Sequence, residues 1–252
     1  MSSFSSLARS SAIMTAGTMT SRVLGFVKAS MLATAIGVTA VQADAFDIAN
    51  KVPNTLYMLL AGGVVNAVLV PQIVRASKRE DGGTDFTNRL LTLSFLLLAG
   101  VSIIATAAAP LLVWLYSSGW SDEQMALATA FALWCLPQLF FYGLYTLLGQ
   151  VLNAKSSFGP YMWAPVLNNV VAIAGLAAFI LIFGTNNASP HDLDTWSPDK
   201  IALIAGTATL GVAAQALILI WPLKRIGFKY KPTFGFRGVG LGSAGKVAFC
   251  TF

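Results

Sequence analysis

Long apolar runs separated by short polar stretches recur along this chain. Each run approaches the roughly 20 residues that a helix needs to cross a bilayer. Backbone groups inside lipid must be satisfied internally, which leaves helices or a closed barrel. A barrel shows short segments of alternating polarity, whereas these runs are continuous and rich in Leu, Ala, Ile and Val. The pattern therefore predicts an all-α, polytopic transmembrane helix bundle of six full helices plus an incomplete seventh. The full helices are expected over about 10–37, 44–75, 86–116, 123–153, 158–183 and 200–223. The first is the least hydrophobic, and the second contains Pro53 and Pro71. Residues 1–223 form one transmembrane unit, 224–241 a basic loop, and 242–252 the start of the seventh helix. A stretch of that length is too short to span the bilayer.

Composition agrees: 56% of the 252 residues are hydrophobic and only 10% charged, where a soluble domain carries about 25% charged residues. Mean hydropathy is +0.71, more than one leader segment can supply. The N-terminal 21 residues lack the compact apolar core and small-residue cleavage site of a signal peptide. The net charge of +6 does not imply nucleic acid as a partner, because the basic residues sit in short stretches between apolar runs and not on one solvated face. They instead set topology, since Lys and Arg prefer cytoplasmic loops. With the N-terminus inside, twelve of the sixteen fall in inside segments: Arg9, Arg75, Lys78, Arg79, Arg89, Lys155, Lys224, Arg225, Lys229, Lys231, Arg237 and Lys246. Lys200 alone falls outside, next to the polar loop 184–199 with its Asp192, Asp194 and Asp199.

No enzyme chemistry is visible. Cys135 and Cys250 lie in apolar runs and read as small buried hydrophobes. His191 has no ligand partners nearby, so no metal is implied. Gly240, Gly242 and Gly245 fit GxGxxG, but that pattern has meaning only between a strand and a helix, and here it precedes a membrane helix. No cofactor is expected.

The informative residues are the charges inside helices, which are expensive in a membrane and usually face a cavity or a partner. Arg22 lies near the middle of the first helix. Lys28 follows six residues later, about 120° around the axis, so the two can line a wide cavity but not one narrow face. Ser21, Gly25 and Lys28 do share a face, where Gly25 permits close approach by a helix or ligand. On the second helix Asp44, Asp47, Lys51 and Asn54 form one stripe. Asp47 and Lys51 are spaced to pair at i, i+4, and Pro53 removes a backbone donor beside them. This stripe reads either as a gate or binding site or as an ion pair pinning two helices. Arg22 reads as a cavity residue, or else as a partner of Asp44 or Asp47. Gln138, Gln150, Asn153, Asn168 and Asn169 read first as packing residues bonded across helices. A cationic cavity implies an anionic substrate, and arginine's planar fork suits phosphate. The residues alone give a transporter or flippase for an anionic, lipid-like substrate.

Several blocks carry a resemblance: Ser21 through Phe26 (SRVLGF), Ala43 through Phe46 (ADAF), Val52 through Asn54 (VPN), the Gly62-Gly63 pair followed by Val70-Pro71, Gly149 through Ala154 (GQVLNA), Ala164 through Asn169 (APVLNN) and Leu223 through Gly227 (LKRIG). In order and spacing, from about residue 7 to 252, the chain resembles the MurJ (MviN) family of lipid II flippases, within the multidrug, oligosaccharidyl-lipid and polysaccharide exporter superfamily. It is most similar to forms from high-GC Gram-positive bacteria. The resemblance implies a multi-pass protein of the bacterial cytoplasmic membrane, N-terminus inside. Its substrate would be lipid II or a similar anionic polyprenyl-diphosphate lipid, carried from inner to outer leaflet by alternating access between two lobes. It implies that basic residues hold the diphosphate. Arg22 stands at the family's arginine. Lys28 stands at a second, keeping the charge without the fork. Asp44 matches an acidic position.

The chain also departs from the pattern. Tyr57 and Met58 stand where many relatives have arginine, and Gly62 replaces an acid, so the site is less basic unless Lys51 compensates. On this reading residues 1–223 are an N-terminal lobe that requires a C-terminal lobe or a second copy. The expected diphosphate and cavity residues are Arg22, Lys28, Lys51 and Ser21, with Asp44, Asp47, Asn54, Pro53 and Gly25 as gating or structural groups. Two other readings are an exporter of another lipid-linked saccharide or drug, and a non-transporting membrane scaffold for cell-wall or division proteins.

Overall fold

The structure is a computed structural model that describes residues 2–38, 40–60, 84–185 and 193–235, without the side chains of residues 2–10 and 194. Outside it lie the second helix beyond Leu60 with Gly62, Gly63 and Pro71, the cations Arg75, Lys78, Arg79, Arg237 and Lys246, and also His191, Asp192, the glycine motif 240–245 and the helix expected over 242–252 with Cys250. The side chain of Arg9 is likewise not described.

All regular structure among the described residues is helical. α1 spans Ser2–Ile36, α2 Val41–Leu60, α3 Thr84–Ala107, α4 Ala109–Tyr116, α5 Asp122–Cys135, α6 Gln138–Ala154, α7 Gly159–Phe183, α8 Pro198–Leu217 and α9 Ile220–Arg225. Among the described residues four stretches are long and apolar enough to cross a membrane: 84–107, 122–154, 159–183 and 198–225. α1 and α2, which carry the internal charges, are the more polar exceptions.

Three helices expected to be continuous are interrupted, each at a proline. Proline lacks an N–H, and its ring clashes with the carbonyl four residues back. Pro110 thus ends α3 and restarts the chain as α4, with Ala108 between them. Pro137 separates α5 from α6, where tighter three-residue bonds bridge the break (Leu139 N–H to Leu136 O, 3.0 Å; Phe140 N–H to Pro137 O, 3.2 Å). Pro222 stands in the turn after the break between α8 and α9. Pro53, in contrast, sits buried within a helix that continues to Leu60. The start of α5 is set by Ser121, whose hydroxyl accepts from the Gln124 N–H at 3.2 Å, with Asp122 and Glu123 complementing the helix dipole. α1 stops where Gly37 takes φ 87°, and α7 where Gly184 takes φ 79°, a region that side chains with a Cβ disfavour.

In lipid, helices gain little from burying apolar surface against one another, so close packing at small residues holds them. At Gly143 the α6 backbone lies against Leu98, at Gly175 α7 lies against Thr207, and at Gly211 α8 lies against Asn168. α7 packs most extensively, against α8 and α1. An aromatic cluster ties α2, α5, α7 and the 193–197 turn: Phe131 meets Phe46 at 5.4 Å and Trp196 at 5.3 Å edge-on, and Phe179 stacks on Trp196 at 6.1 Å.

The charges segregate by end. Lys155, Lys229 and Lys231 line one recess together with Thr84, Asp85 and Asn88, and Arg89 pairs with Asp85 at 2.9 Å. Ile13, near the start of α1, lies beside Gly159 at this same end. Lys200 sits at the opposite end, donating to the Thr195 carbonyl at 2.8 Å.

Candidate functional site

α1 presents two different faces. Ile13, Gly17, Ser21 and Gly25 recur at four-residue spacing and meet α7. The Trp163 indole donates to the Ile13 carbonyl at 3.1 Å. Gly17 lies so close to Met162 and Trp163 that a Cβ would meet both at 3.0 Å. The Asn169 amide donates to the Ser21 carbonyl at 2.8 Å and to its hydroxyl at 3.2 Å. Ser21 is therefore occupied in holding α1 to α7. Gly25 takes the helix-approach role, with Asn169 its nearest neighbour.

Arg22 is one residue, or about 100°, around from that seam. It is exposed and lies among exposed apolar side chains: Met19 is 61% exposed, Val23 65% and Phe26 75%. It has no hydrogen bond or ion pair among the described residues, so the pairing with Asp44 or Asp47 that the sequence allowed is not made. Fourteen residues separate it from the end of α1 at Ile36, about 20 Å of helix.

Lys28 points elsewhere. It is half-buried and lines an internal recess of about 520 Å³ between α1, α2, α6, α7 and α8. The other polar groups of that recess are neutral: Asn50, Gln138, Tyr142, Asn168 and Thr207. Arg22 is not among the lining residues, so the two cations do not share this cavity. Gln138, fully buried just after the Pro137 kink, organises the floor. Its amide donates to Asn50 Oδ1 at 3.0 Å and to the Thr209 hydroxyl at 3.1 Å, and its carbonyl accepts from the Tyr142 hydroxyl at 3.1 Å. The Asn168 amide donates to Gln215 at 2.8 Å beside it. Gln138, Asn168 and Asn169 thus bond across helices as expected. For Asn153 no such bond exists among the described residues, and its side-chain oxygen is buried without a partner.

On α2 the stripe faces outward. Asp44, Asp47 and Lys51 are exposed and Asn54 is half-exposed, while the opposite face, Gln42, Ala45, Phe46, Ala49, Val52 and Pro53, is buried. Asp47 and Lys51 form an ion pair along the helix, so the pair pins no second helix among the described residues. Asn50, on the inward side, is the recess residue that the charge stripe concealed. Tyr57 also turns inward and donates to the Thr146 hydroxyl at 2.6 Å. Met58 is 63% exposed. No group of three His, Cys, Asp or Glu among the described residues is placed to hold a metal.

A family model described as "Lipid II flippase MurJ" matches residues 32–252. α2 falls within the match, while Ser21, Arg22, Gly25 and Lys28 precede it. The chain is 30% identical over 200 residues to a probable lipid II flippase MurJ of Rhizobium tropici, covering 77% of this chain and 36% of that protein. It is 30% identical over 243 residues to one of Haemophilus influenzae, covering 91% and 44%. It is 33% identical over 215 residues to the lipid II flippase MurJ of Burkholderia cenocepacia, covering 83% and 38%. The chain thus spans less than half the length of these relatives. Two solved structures share the fold. One is described as lipid II flippase MurJ in an inward closed conformation (TM-score 0.68, 22% identity, 94% of this chain and 46% of that one). The other is a MOP superfamily transporter from Pyrococcus furiosus, reported with a binding pocket of reverse polarity (TM-score 0.66, 18% identity, 94% and 50%).

Proposed function

Because the chain belongs to the lipid II flippase MurJ family, we propose that it forms the N-terminal lobe of a flippase for lipid II. The substrate, an undecaprenyl-diphosphate-linked peptidoglycan precursor, passes from the inner to the outer leaflet by alternating access. It is a transport step, with no bond made or broken. The four apolar spans fit a multi-pass membrane protein, here of the bacterial cytoplasmic membrane with the N-terminus inside. The gathering of Lys155, Lys229 and Lys231 at one end and Lys200 at the other supports that orientation.

One observation carries the substrate reading. Arg22 stands about 20 Å from the end of α1 on an exposed face, with no partner among the described residues. A lone arginine among exposed apolar groups is costly in lipid. It is justified where that face lines a wet cavity closed by a second lobe, and where the cation meets a diphosphate. The guanidinium then donates two hydrogen bonds at once to phosphate oxygens. The exposed Asp47–Lys51 pair and Asp44 border the same cavity from α2. Lys28 reaches the diphosphate only when its recess opens, so it acts as an inner, second contact. Ser21, Gly25 and Pro53 position the helices, and Asn54 lies at the edge of the stripe.

The test is replacement of the native flippase in a depleted bacterium. Residues 1–252, a full-length relative and the same relative with alanine at the position of Arg22 are expressed, and membrane insertion is checked by fractionation. The reading expects the intact relative to restore growth, its alanine variant to fail while inserting normally, and residues 1–252 to fail alone. Full rescue by the alanine variant would remove the diphosphate role from this arginine. Rescue by residues 1–252 would show that two copies can serve as two lobes.

A further inference from the structure

The basic end of the bundle holds a feature that the transport cavity does not use. α3, α6 and α9 enclose an apolar groove of about 1240 Å³, walled by Leu91, Phe95, Leu148 and Leu223. It shares no lining residue with the Lys28 recess. Its fourth side is a strap, the segment after α9. The Tyr230 hydroxyl lies 2.9 Å from the Thr92 hydroxyl, the Thr233 N–H donates to that same hydroxyl at 3.2 Å, and the Tyr230 ring meets Phe95 edge-on at 5.4 Å. Lys224, at the end of α9, and Lys229, on the strap, also line the groove.

Phe228 and Lys229 also border a polar recess of about 1000 Å³, which adds Asp85, Lys155 and Lys231. Asn88 lines this recess. It is 4% exposed, and its side-chain oxygen has no hydrogen-bond partner among the described residues. An apolar slot opening onto lysines, and then onto an unsatisfied buried acceptor, matches one kind of molecule in charge and polarity along its length. That molecule has acyl chains, a phosphate and a headgroup that can donate a hydrogen bond.

We propose that this groove is a binding site for an anionic diacyl phospholipid with a hydroxyl-bearing headgroup. Its chains lie against Leu91, Phe95 and Leu148, its phosphate lies between Lys224 and Lys229, and its headgroup reaches Asn88. The lipid seals the strap to α3 and α6. The site stands apart from the flippase reading and survives its failure.

Native mass spectrometry of the full chain in detergent, titrated with dioleoyl phosphatidylglycerol and with dioleoyl phosphatidylcholine, tests this. A cation near a membrane surface favours anionic lipid by about a factor of five. The expected result is one saturable phosphatidylglycerol, held at least tenfold tighter than phosphatidylcholine, with that preference lost in K224Q/K229Q and kept in K200Q. Leu148→Trp, which fills the groove, should weaken both lipids. A photoactivatable phosphatidylglycerol on the unaltered chain should label peptides containing residues 91–95 or 220–230, which keeps the test independent of variants. Equal binding of the two lipids, preference unchanged in K224Q/K229Q, or labelling elsewhere overturns the proposal. So does displacement of phosphatidylglycerol by a lower concentration of undecaprenyl phosphate, which would assign the groove to the polyprenyl lipid instead.

Discussion

Replacing Gln138 by Leu removes a fully buried amide that joins α2, α6 and α8 through Asn50, Tyr142 and Thr209. The two side chains are similar in size, so the change is chiefly one of polarity. Interhelical hydrogen bonds in membrane proteins contribute about 0.6 kcal/mol each, with a maximum near 1.7. Two of the three bonds cross between helices, to Asn50 and Thr209, and set a scale of about 1 kcal/mol, with a ceiling near 3. The loss is reduced because Thr209 keeps its bond to the Trp134 carbonyl at 2.7 Å. Asn50 Oδ1 and the Tyr142 hydroxyl lose their partners in a recess that water can enter, which softens the penalty further. The expected cost is therefore about 1–2 kcal/mol, read from unfolding in dodecyl sulfate mixed micelles followed by circular dichroism. A double-mutant cycle with Asn50→Ala should give a coupling of about 0.5 kcal/mol. A loss below about 0.5 kcal/mol, the range of an indifferent surface change, would show that Gln138 does not hold the three helices together.

Gly175→Ala places a methyl on the Thr207 side chain across the α7–α8 seam and should cost about 1–3 kcal/mol by overpacking, recovered in the double variant with Thr207→Gly. The same micelle unfolding checks both. Lys51→Gln breaks an exposed pair along one helix and should shift stability by less than about 0.5 kcal/mol; a larger fall would give the pair a partner beyond α2. Arg22→Ala, unpaired and exposed, should leave the melting temperature of the purified chain within a degree or so while weakening its binding of a soluble diphosphate-lipid analogue about tenfold to a hundredfold, with Arg22→Lys falling between. Lys28→Met should raise stability by about 1 kcal/mol, because a half-buried ammonium with no anionic partner among the described residues is costly within a membrane; destabilisation would mean that Lys28 anchors its recess.

The helices were legible because apolar run length is a direct signal of bilayer thickness. Their interruptions at Pro110 and Pro137 were less so. A proline bends a membrane helix without changing its hydropathy, so one run covers both halves. The seam of α1 was half visible. Ser21 and Gly25 shared a face with Lys28, but Gly17 and Ile13 complete it only once Trp163 and Asn169 are seen opposite. Charge drew attention to Asp44, Asp47 and Lys51, which face outward together. Asn50, neutral and one residue before Lys51, is the α2 group that enters the recess. Polarity along a helix shows where a site can be, and only the packing of the opposite face shows which polar residue turns inward.

The division between Arg22 and Lys28 follows from the same geometry. Six residues and about 120° put one cation on the open side of α1 and the other behind it, against α2, α6, α7 and α8. For both to touch one diphosphate, α1 must rotate or tilt against α7. Its seam with α7 is made of Gly17 against Met162 and Trp163 and of the Ser21–Asn169 bonds. A shift of α1 against α7 therefore has to loosen the close approach at Gly17 and the Asn169 bonds to Ser21. The Trp163 bond to the Ile13 carbonyl holds the far end of α1 fixed. On the proposed reading the outer arginine is expected to meet the phosphate first, and the inner lysine only once α1 has shifted.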